Sequence, residues 1–190
     1  MAPSTNSQRE RRLWIWAGGL LLAIYASFYS VRPLADWLRE RGLLRGTIIG
    51  LFLLAAGLVL RWCLARSPGW REIAVLAGFT LLYLAVLWPI RFPEERFHLL
   101  EYGLFAGLVY LALLERRRPG AELRWSAPAA LVAALATGLA GWLDEGIQHL
   151  LPNRQYDWLD VGLNLLAAVL AIGALAALAE AHRADRGAAG

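Results

Sequence analysis

The 190-residue sequence contains no lysine, a single cysteine (Cys63) and only 18% charged residues. A lone cysteine excludes an intrachain disulfide framework, and because Cys63 lies inside an apolar run we interpret it as a packing residue. A soluble domain of this length needs more polar surface than this to cover its core. The composition therefore excludes a soluble globular enzyme, a disordered chain and a disulfide scaffold, and it predicts an integral membrane protein.

Apolar residues dominate the rest of the chain: they make up 58% of it, and the mean hydropathy is +0.46. They are concentrated in six runs, each close to the roughly 20 residues that a helix needs to cross a bilayer. The runs cover residues 13–31, 46–64, 73–90, 97–114, 127–143 and 158–178. We therefore predict an all-α, polytopic integral membrane protein with about six transmembrane helices.

The first run is compatible with either a signal peptide or a retained membrane anchor. A signal peptide needs small residues at its cleavage region, whereas Tyr25, Phe28 and Tyr29 occupy that region here. We therefore expect an anchor that stays in the protein.

A shorter amphipathic segment, residues 33–41, follows the first run. Leu34, Trp37 and Leu38 share one helical face, while Asp36 and Glu40 lie on the other. This pattern indicates a short helix lying in the membrane interface, with a solvated loop as the alternative.

The 19 basic residues are all arginine and leave a net charge of +4, with a pI near 9.7. A basic pI can indicate nucleic-acid binding, but these arginines form short clusters between apolar runs, as membrane topology produces. Twelve of them fall on the side of the two termini and seven on the other, and most tryptophans lie near the ends of runs. We therefore expect both termini in the cytoplasm and no nucleic-acid partner.

Three stretches carry polar residues where apolar ones are expected: the start of the fourth run, the end of the fifth and the start of the sixth. In each stretch the polar residues share one helical face. They are His98, Glu101 and Tyr102; then Asp144, Glu145 and Gln148; then Asp157, Asp160 and Asn164. The predicted topology brings all three stretches to the external membrane surface. Because ionisable groups at this depth normally face a protein interior or a water-filled cavity, we predict one acidic pocket that opens outward.

The joint pattern resembles the VanZ-like family of bacterial membrane proteins. The residues that carry the resemblance are His98, Tyr102, Asp144, Glu145, Gln148, Pro152, Arg154, Asp157, Asp160 and Asn164. It implies a VanZ-like domain over residues 93–178, preceded by a cytoplasmic tail (1–12) and transmembrane helices (13–92). Residues 179–190 are then a cytoplasmic tail, which we expect to be disordered. The family takes its name from a protein associated with low-level teicoplanin resistance, and the resemblance implies a bacterial cytoplasmic membrane protein.

Several roles are open for this pocket. It can be a cluster of polar side chains that only holds the helices together, with Asp157 or Asp160 capping the last helix. It can instead bind an envelope lipid headgroup, a lipid-linked cell-wall precursor or an amphiphilic glycopeptide. In that case Arg96 and Arg154 would meet phosphate, while Gln148 and Asn164 would bind hydroxyls or amides. His149 is an accessory candidate at the mouth of the pocket.

Catalysis is the alternative to binding. Clustered carboxylates with His98 can act as general acid and base on an outer-leaflet lipid, although no serine or cysteine nucleophile lies near the three stretches. No cofactor is predicted, but a divalent metal can be held by carboxylate and imidazole ligands. Its candidate ligands are His98, Glu101, Asp144, Glu145 and Asp160. Transport by alternating access is disfavoured, because the polar residues stop near the outer surface.

Overall fold

A computed structural model describes residues 5–27, 31–90, 93–117, 126–150 and 156–188, and in these ranges the chain forms helices and no strands. In chain order the helices are α1 (Thr5–Ser27), α2 (Val31–Glu40), α3 (Leu44–Arg66), α4 (Trp70–Leu87), α5 (Pro93–Arg117), α6 (Ala127–His149) and α7 (Trp158–Ala188). The predicted all-α class is confirmed.

The middle of the helix bundle is formed by α5 and α7. Helix α5 contacts α1, α6 and α7, and α7 also contacts α4 and α6. The largest buried apolar and aromatic side chains come from α5, namely Leu99, Tyr102 and Tyr110. Helices α6 and α7 contribute buried alanines such as Ala133 and Ala167. Small side chains let helix backbones approach closely, which is how helices associate where lipid removes the hydrophobic driving force.

In the part of the chain that the structure describes, four helices are long and apolar enough to cross a membrane. They are α4, residues 98–116 of α5, α6, and residues 158–187 of α7. The protein is therefore a helical membrane protein by the length and composition of these helices. Helices α1 and α3 coincide with the first two predicted runs, and their crossing of the membrane stays a prediction.

The amphipathic segment after the first run does form a helix, α2. Its end is set by Gly42, whose positive φ of 68° is the left-handed conformation that ends many helices. The backbone N–H of Gly42 donates to the Arg39 carbonyl at 3.0 Å, and that of Leu43 donates to the Leu38 carbonyl at 2.8 Å. Trp37 is 46% exposed and the Arg41 guanidinium lies 3.9 Å from its ring centroid. The position of α2 in a membrane interface stays a prediction.

Ion pairs join the helix ends that the arginine count places in the cytoplasm. At the start of α1, Arg9 Nη1 lies 3.0 Å from Glu115 Oε1 near the end of α5. At the start of α4, Glu72 Oε1 lies 3.0 Å from His182 Nδ1 near the end of α7. The bundle therefore has one end where α1 and α4 begin and where α5 and α7 finish, as the predicted topology requires.

The prediction of a disordered tail at residues 179–190 is wrong over 179–188. Helix α7 continues to Ala188, and an ion pair between Arg183 and Glu180 lies along it. Alanine-rich sequence has the highest helix propensity. The contact between His182 and Glu72 then holds this extension against the beginning of α4.

Candidate functional site

The start of α5 is held in place by Arg96. Its Nε and Nη2 atoms donate to the carbonyl of Ile90 at 3.2 and 2.8 Å, so the guanidinium satisfies a backbone acceptor just beyond α4. Arg96 thus braces the connection into α5, and its contact with phosphate stays a prediction. Further along α5, His98, Glu101 and Tyr102 lie close to Asp144 of α6.

Helix α6 contributes the most deeply buried part of the site. Asp144 is fully buried, and Glu145 and Gln148 are each 2% exposed. Together with Gly141 they form one continuous buried face of α6, because residues three and four apart lie on the same side of a helix. Charged side chains almost never reach this degree of burial without a partner.

His98 and the two α6 carboxylates form the closest titratable group of the site. His98 Nδ1 lies 3.8 Å from Asp144 Oδ2, and ligand atoms of His98, Asp144 and Glu145 all lie within 4.8 Å of one another. The His98 ring stacks on Tyr102, with 6.1 Å between ring centroids and 27° between planes. The Tyr102 phenol lies close to the Asp144 carboxylate. The predicted convergence of α5 and α6 is therefore present.

The start of α7 is joined to α6 through Glu145. The backbone N–H of Asp157 donates to Glu145 Oε2 at 3.2 Å, and Asp157 Oδ1 accepts the Leu159 N–H at 2.7 Å. The Asp157 carboxylate thus caps the N-terminus of α7, one of the two alternatives that the sequence left open. Its side chain is exposed, so Asp157 lies at the surface of the site, at the start of α7.

Asp160 and Asn164 complete the site from α7. Asp160 is 8% exposed and Asn164 is fully buried. Neither the Nδ2 nor the Oδ1 of Asn164 has a hydrogen-bond partner among the described residues, and the same holds for Gln148 Oε1. These two amides therefore bring buried, available donors and acceptors to the α6–α7 contact.

Two contributors were missed by the sequence analysis. Tyr25, near the end of α1, donates its hydroxyl to the Ala140 carbonyl at 2.8 Å and lies close enough to Asp144 for electrostatic interaction. Gly141 allows the close approach of α7, since a Cβ at this position would lie 2.6 Å from Asn164 Nδ2. Gly141 could have been found as a small residue three positions before Asp144 on the same helical face.

The remaining predicted residues lie at the edge of the site or beyond the described ranges. His149 is exposed and packs edge-on against Tyr156, with 6.5 Å between centroids. Partial burial and the nearby Glu145 carboxylate raise the pKa of the Tyr156 phenol. Arg154 lies outside the described residues, as does the side chain of Cys63. The described part of the pocket therefore contains four carboxylates (Glu101, Asp144, Glu145, Asp160) and one imidazole.

These features define a helical membrane protein with a buried, acidic and amide-rich site between three helices near one end of its bundle. Comparison of the chain with protein-family models, with curated proteins and with solved structures finds no match. The resemblance to the VanZ-like family therefore stays a prediction.

Proposed function

We propose that this is a VanZ-like protein of the bacterial cytoplasmic membrane, with six spans and both termini in the cytoplasm. Its pocket opens to the outer side. It binds the polar headgroup of an envelope lipid, of a lipid-linked cell-wall precursor or of an amphiphilic glycopeptide. The observation that carries the proposal is the pair of buried amides, Gln148 and Asn164, which have polar atoms without partners in the described structure.

The energetics favour a ligand over a structural role for these amides. A buried polar group without a partner costs about 1–3 kcal/mol, whereas a polar contact between membrane helices contributes only about 0.6 kcal/mol. Helix association alone therefore does not account for two fully buried amides beside four carboxylates. Hydroxyl and amide groups of a sugar or peptide headgroup would satisfy both Gln148 and Asn164.

The three proposed ligands share a polar head attached to an apolar chain. Such a molecule can place its head in the pocket near the membrane surface and leave its chain between the helices and the surrounding lipid. The family resemblance adds the expectation of low-level glycopeptide resistance, through binding of the antibiotic or of the lipid that it targets.

A second candidate function, catalysis, is favoured by one contact. His98 and Asp144 are 3.8 Å apart, so the carboxylate can orient the imidazole as a general base towards a substrate. With this pair the protein would hydrolyse an outer-leaflet lipid by activating water. The pocket residues that the structure describes include no serine or cysteine, so a covalent route would require a carboxylate or imidazole nucleophile.

Native mass spectrometry of the gently solubilised protein tests the proposal. We expect a retained phospholipid or isoprenoid lipid with wild type, and loss of that lipid with Gln148→Met and Asn164→Leu. Both variants keep the side-chain size and remove the amide, so their thermal midpoints should be unchanged or higher. Recovery of a shortened lipid would instead support catalysis.

Thr137→Val is the matched control. Thr137 is also a buried polar residue of α6, but its hydroxyl donates to the Ala133 carbonyl of the same helix at 2.8 Å. This variant should retain the lipid. If wild type carries no lipid, or if the two amide variants retain as much as Thr137→Val does, the pocket has a structural role only.

A further inference from the structure

The charges of the described pocket conflict with the headgroups that it is proposed to bind. Phospholipids and lipid-linked precursors carry phosphate, yet the pocket side chains that the structure describes include four carboxylates. Arg96, predicted to meet phosphate, donates to the Ile90 carbonyl in this structure. A cation bound among these carboxylates would weaken the repulsion that an anionic headgroup meets, because repulsion between like charges is strong at low dielectric.

A group of three side chains can hold that charge as a metal ion. The ligand atoms of His98, Asp144 and Glu145 lie within 4.8 Å of one another, and His98 Nδ1 and Asp144 Oδ2 are 3.8 Å apart. Zinc binds histidine nitrogen and carboxylate oxygen at about 2.0–2.2 Å, which places neighbouring tetrahedral ligands about 3.5 Å apart. Small rotations of the three side chains would therefore bring them to coordinating distance.

The burial of the two carboxylates and the position of the Gln148 amide agree with this assignment. Asp144 and Glu145 are 0% and 2% exposed, and a bound cation would stabilise two carboxylates that lie this close together in the interior. Independently, Gln148 has a buried Oε1 without a hydrogen-bond partner among the described residues, on the same face of α6. An amide oxygen there can accept a hydrogen bond from a metal-bound water and orient it.

We propose that His98, Asp144 and Glu145 bind one divalent metal ion, with a coordination position left for the headgroup. A set of one imidazole and two carboxylates fits Zn²⁺ best, since imidazole is a poor ligand for Mg²⁺ and Ca²⁺. The second part of the proposal rests on the proposed function: the ion binds a phosphate or carboxylate oxygen of the ligand and offsets the negative charge of the pocket.

Metal binding is measured on the full-length protein in detergent after treatment with a chelator. Zn²⁺ titration by calorimetry should give one site per chain, and Co²⁺ should produce visible ligand-field absorption. His98→Gln, Asp144→Asn and Glu145→Gln should each weaken Zn²⁺ binding by at least about tenfold and abolish the Co²⁺ absorption. Because Asp144 is fully buried, the thermal midpoint of each variant is measured in parallel. His98 is 15% exposed, so it supplies the variant that is least disruptive to folding.

His182→Gln and Glu180→Gln are the matched controls. They remove an exposed imidazole and an exposed carboxylate near the end of α7, neither of which belongs to the proposed ligands. Both should bind Zn²⁺ as wild type does. The metal site is overturned if wild type shows no saturable Zn²⁺ binding, or if folded His98→Gln binds Zn²⁺ like the controls.

The experiment separates failure of the metal site from failure of the proposed function. Asn164→Leu should keep Zn²⁺ binding and lose the lipid, whereas His98→Gln should lose both. If wild type binds Zn²⁺ but carries no lipid, the metal site stands and headgroup binding is wrong. If chelated protein or His98→Gln retains the lipid fully, headgroup binding stands and the bridging role of the metal is wrong.

Discussion

Gly141 is the position at which the side chain of Asn164 lies directly against α6. A Cβ added there would lie 2.6 Å from Nδ2 and 2.8 Å from Cβ of Asn164, both shorter than van der Waals contact. The Asn164 Cβ is fixed to the backbone of α7, so it cannot rotate away. The depth at which Asn164 enters the pocket is therefore set by the absence of a side chain at residue 141.

Gly141→Ala is expected to lower the free energy of unfolding by about 1–3 kcal/mol, because α7 must shift away from α6 and the Asn164 amide must move. Unfolding of the purified protein in detergent measures the change. Gly138→Ala is the control one turn earlier, where the nearest atom is Leu165 Cδ1 at 3.7 Å, an ordinary contact. It should be neutral or stabilising by up to about 1 kcal/mol, since alanine has the higher helix propensity. Equal destabilisation by both variants would contradict the close contact at Gly141.

The carboxylates Glu145 and Asp160 are expected to act in binding and not only in holding helices together. Glu145→Gln retains an oxygen that can accept the Asp157 N–H, and a neutral amide is less costly to bury than a carboxylate. We therefore expect Glu145→Gln and Asp160→Asn to change the stability of the chelated protein by less than about 1 kcal/mol, or to raise it.

Lipid retention, by contrast, should be lost in both variants. Protein abundance and thermal midpoint are measured in parallel with lipid retention, as is survival of cells against teicoplanin-type lipoglycopeptides. If a variant loses both its folded protein and its bound lipid, the two carboxylates have a structural role. Retention of the lipid at the wild-type level would remove them from the binding site.

The helical spacing of polar residues is enough to predict which side chains of α5 and α6 meet. His98, Asp144 and Glu145 were predicted as one pocket and lie together, because each occupies the face of its helix that carries the other polar residues. Tyr25 could not be predicted in the same way. Its hydroxyl reaches the Ala140 carbonyl across 115 residues of sequence, and one tyrosine in an apolar run does not specify which helix it faces.

At the scale of elements, apolar runs predicted where helices form better than where they end. The sixth run ends at residue 178, but α7 continues to Ala188 because its end packs on α4. Asp185 lies against Gly69 at the N-terminus of α4 and its Oδ1 is 3.8 Å from Arg71 Nη1. A carboxylate at a helix N-terminus is favoured by the helix dipole. This contact depends on tertiary packing, which hydropathy does not report.

The extension of α7 is tested by the pair Gly69→Cys and Asp185→Cys in a Cys63→Ala background. A Cβ at residue 69 would lie 2.9 Å from the Asp185 Cβ, so a small separation of the helices gives the Cβ–Cβ distance of about 3.8 Å found in disulfides. Mild oxidation should join the two cysteines, and peptide mass spectrometry should identify the crosslinked peptides.

Gly187→Cys paired with Gly69→Cys is the control, because a Cβ at residue 187 has no atom within 4 Å. Crosslinking of this pair should be much slower than that of 69 with 185. Equal rates for the two pairs would mean that the end of α7 is not held against α4.

At the scale of the whole molecule, the two ends of the bundle differ in chemistry. One end carries polar contacts between helix termini, an ion pair of Arg9 with Glu115 and a histidine–carboxylate contact of His182 with Glu72. The other end carries the buried group of His98, Asp144 and Glu145. The sequence predicted which helix ends lie together, since alternating spans fix that order. The direction of the bundle across a membrane depends instead on the arginine count, and it is a separate prediction.

The predicted direction of the bundle across the membrane determines which positions a membrane-impermeant thiol reagent reaches on intact cells. Leu150, just after α6, is 82% exposed at the end of the bundle that carries the pocket, and Arg116 is exposed at the opposite end. In a Cys63→Ala background, Leu150→Cys should react on intact cells, whereas Arg116→Cys should react only after the cells are permeabilised. The reason is that twelve arginines favour a cytoplasmic position for the end of the bundle that carries Arg116. The Cys63→Ala protein without an added cysteine is the control for background labelling. Labelling of Arg116→Cys but not Leu150→Cys on intact cells would show that the orientation is opposite to the predicted one. The pocket would then face the cytoplasm, where an outer-leaflet headgroup cannot reach it.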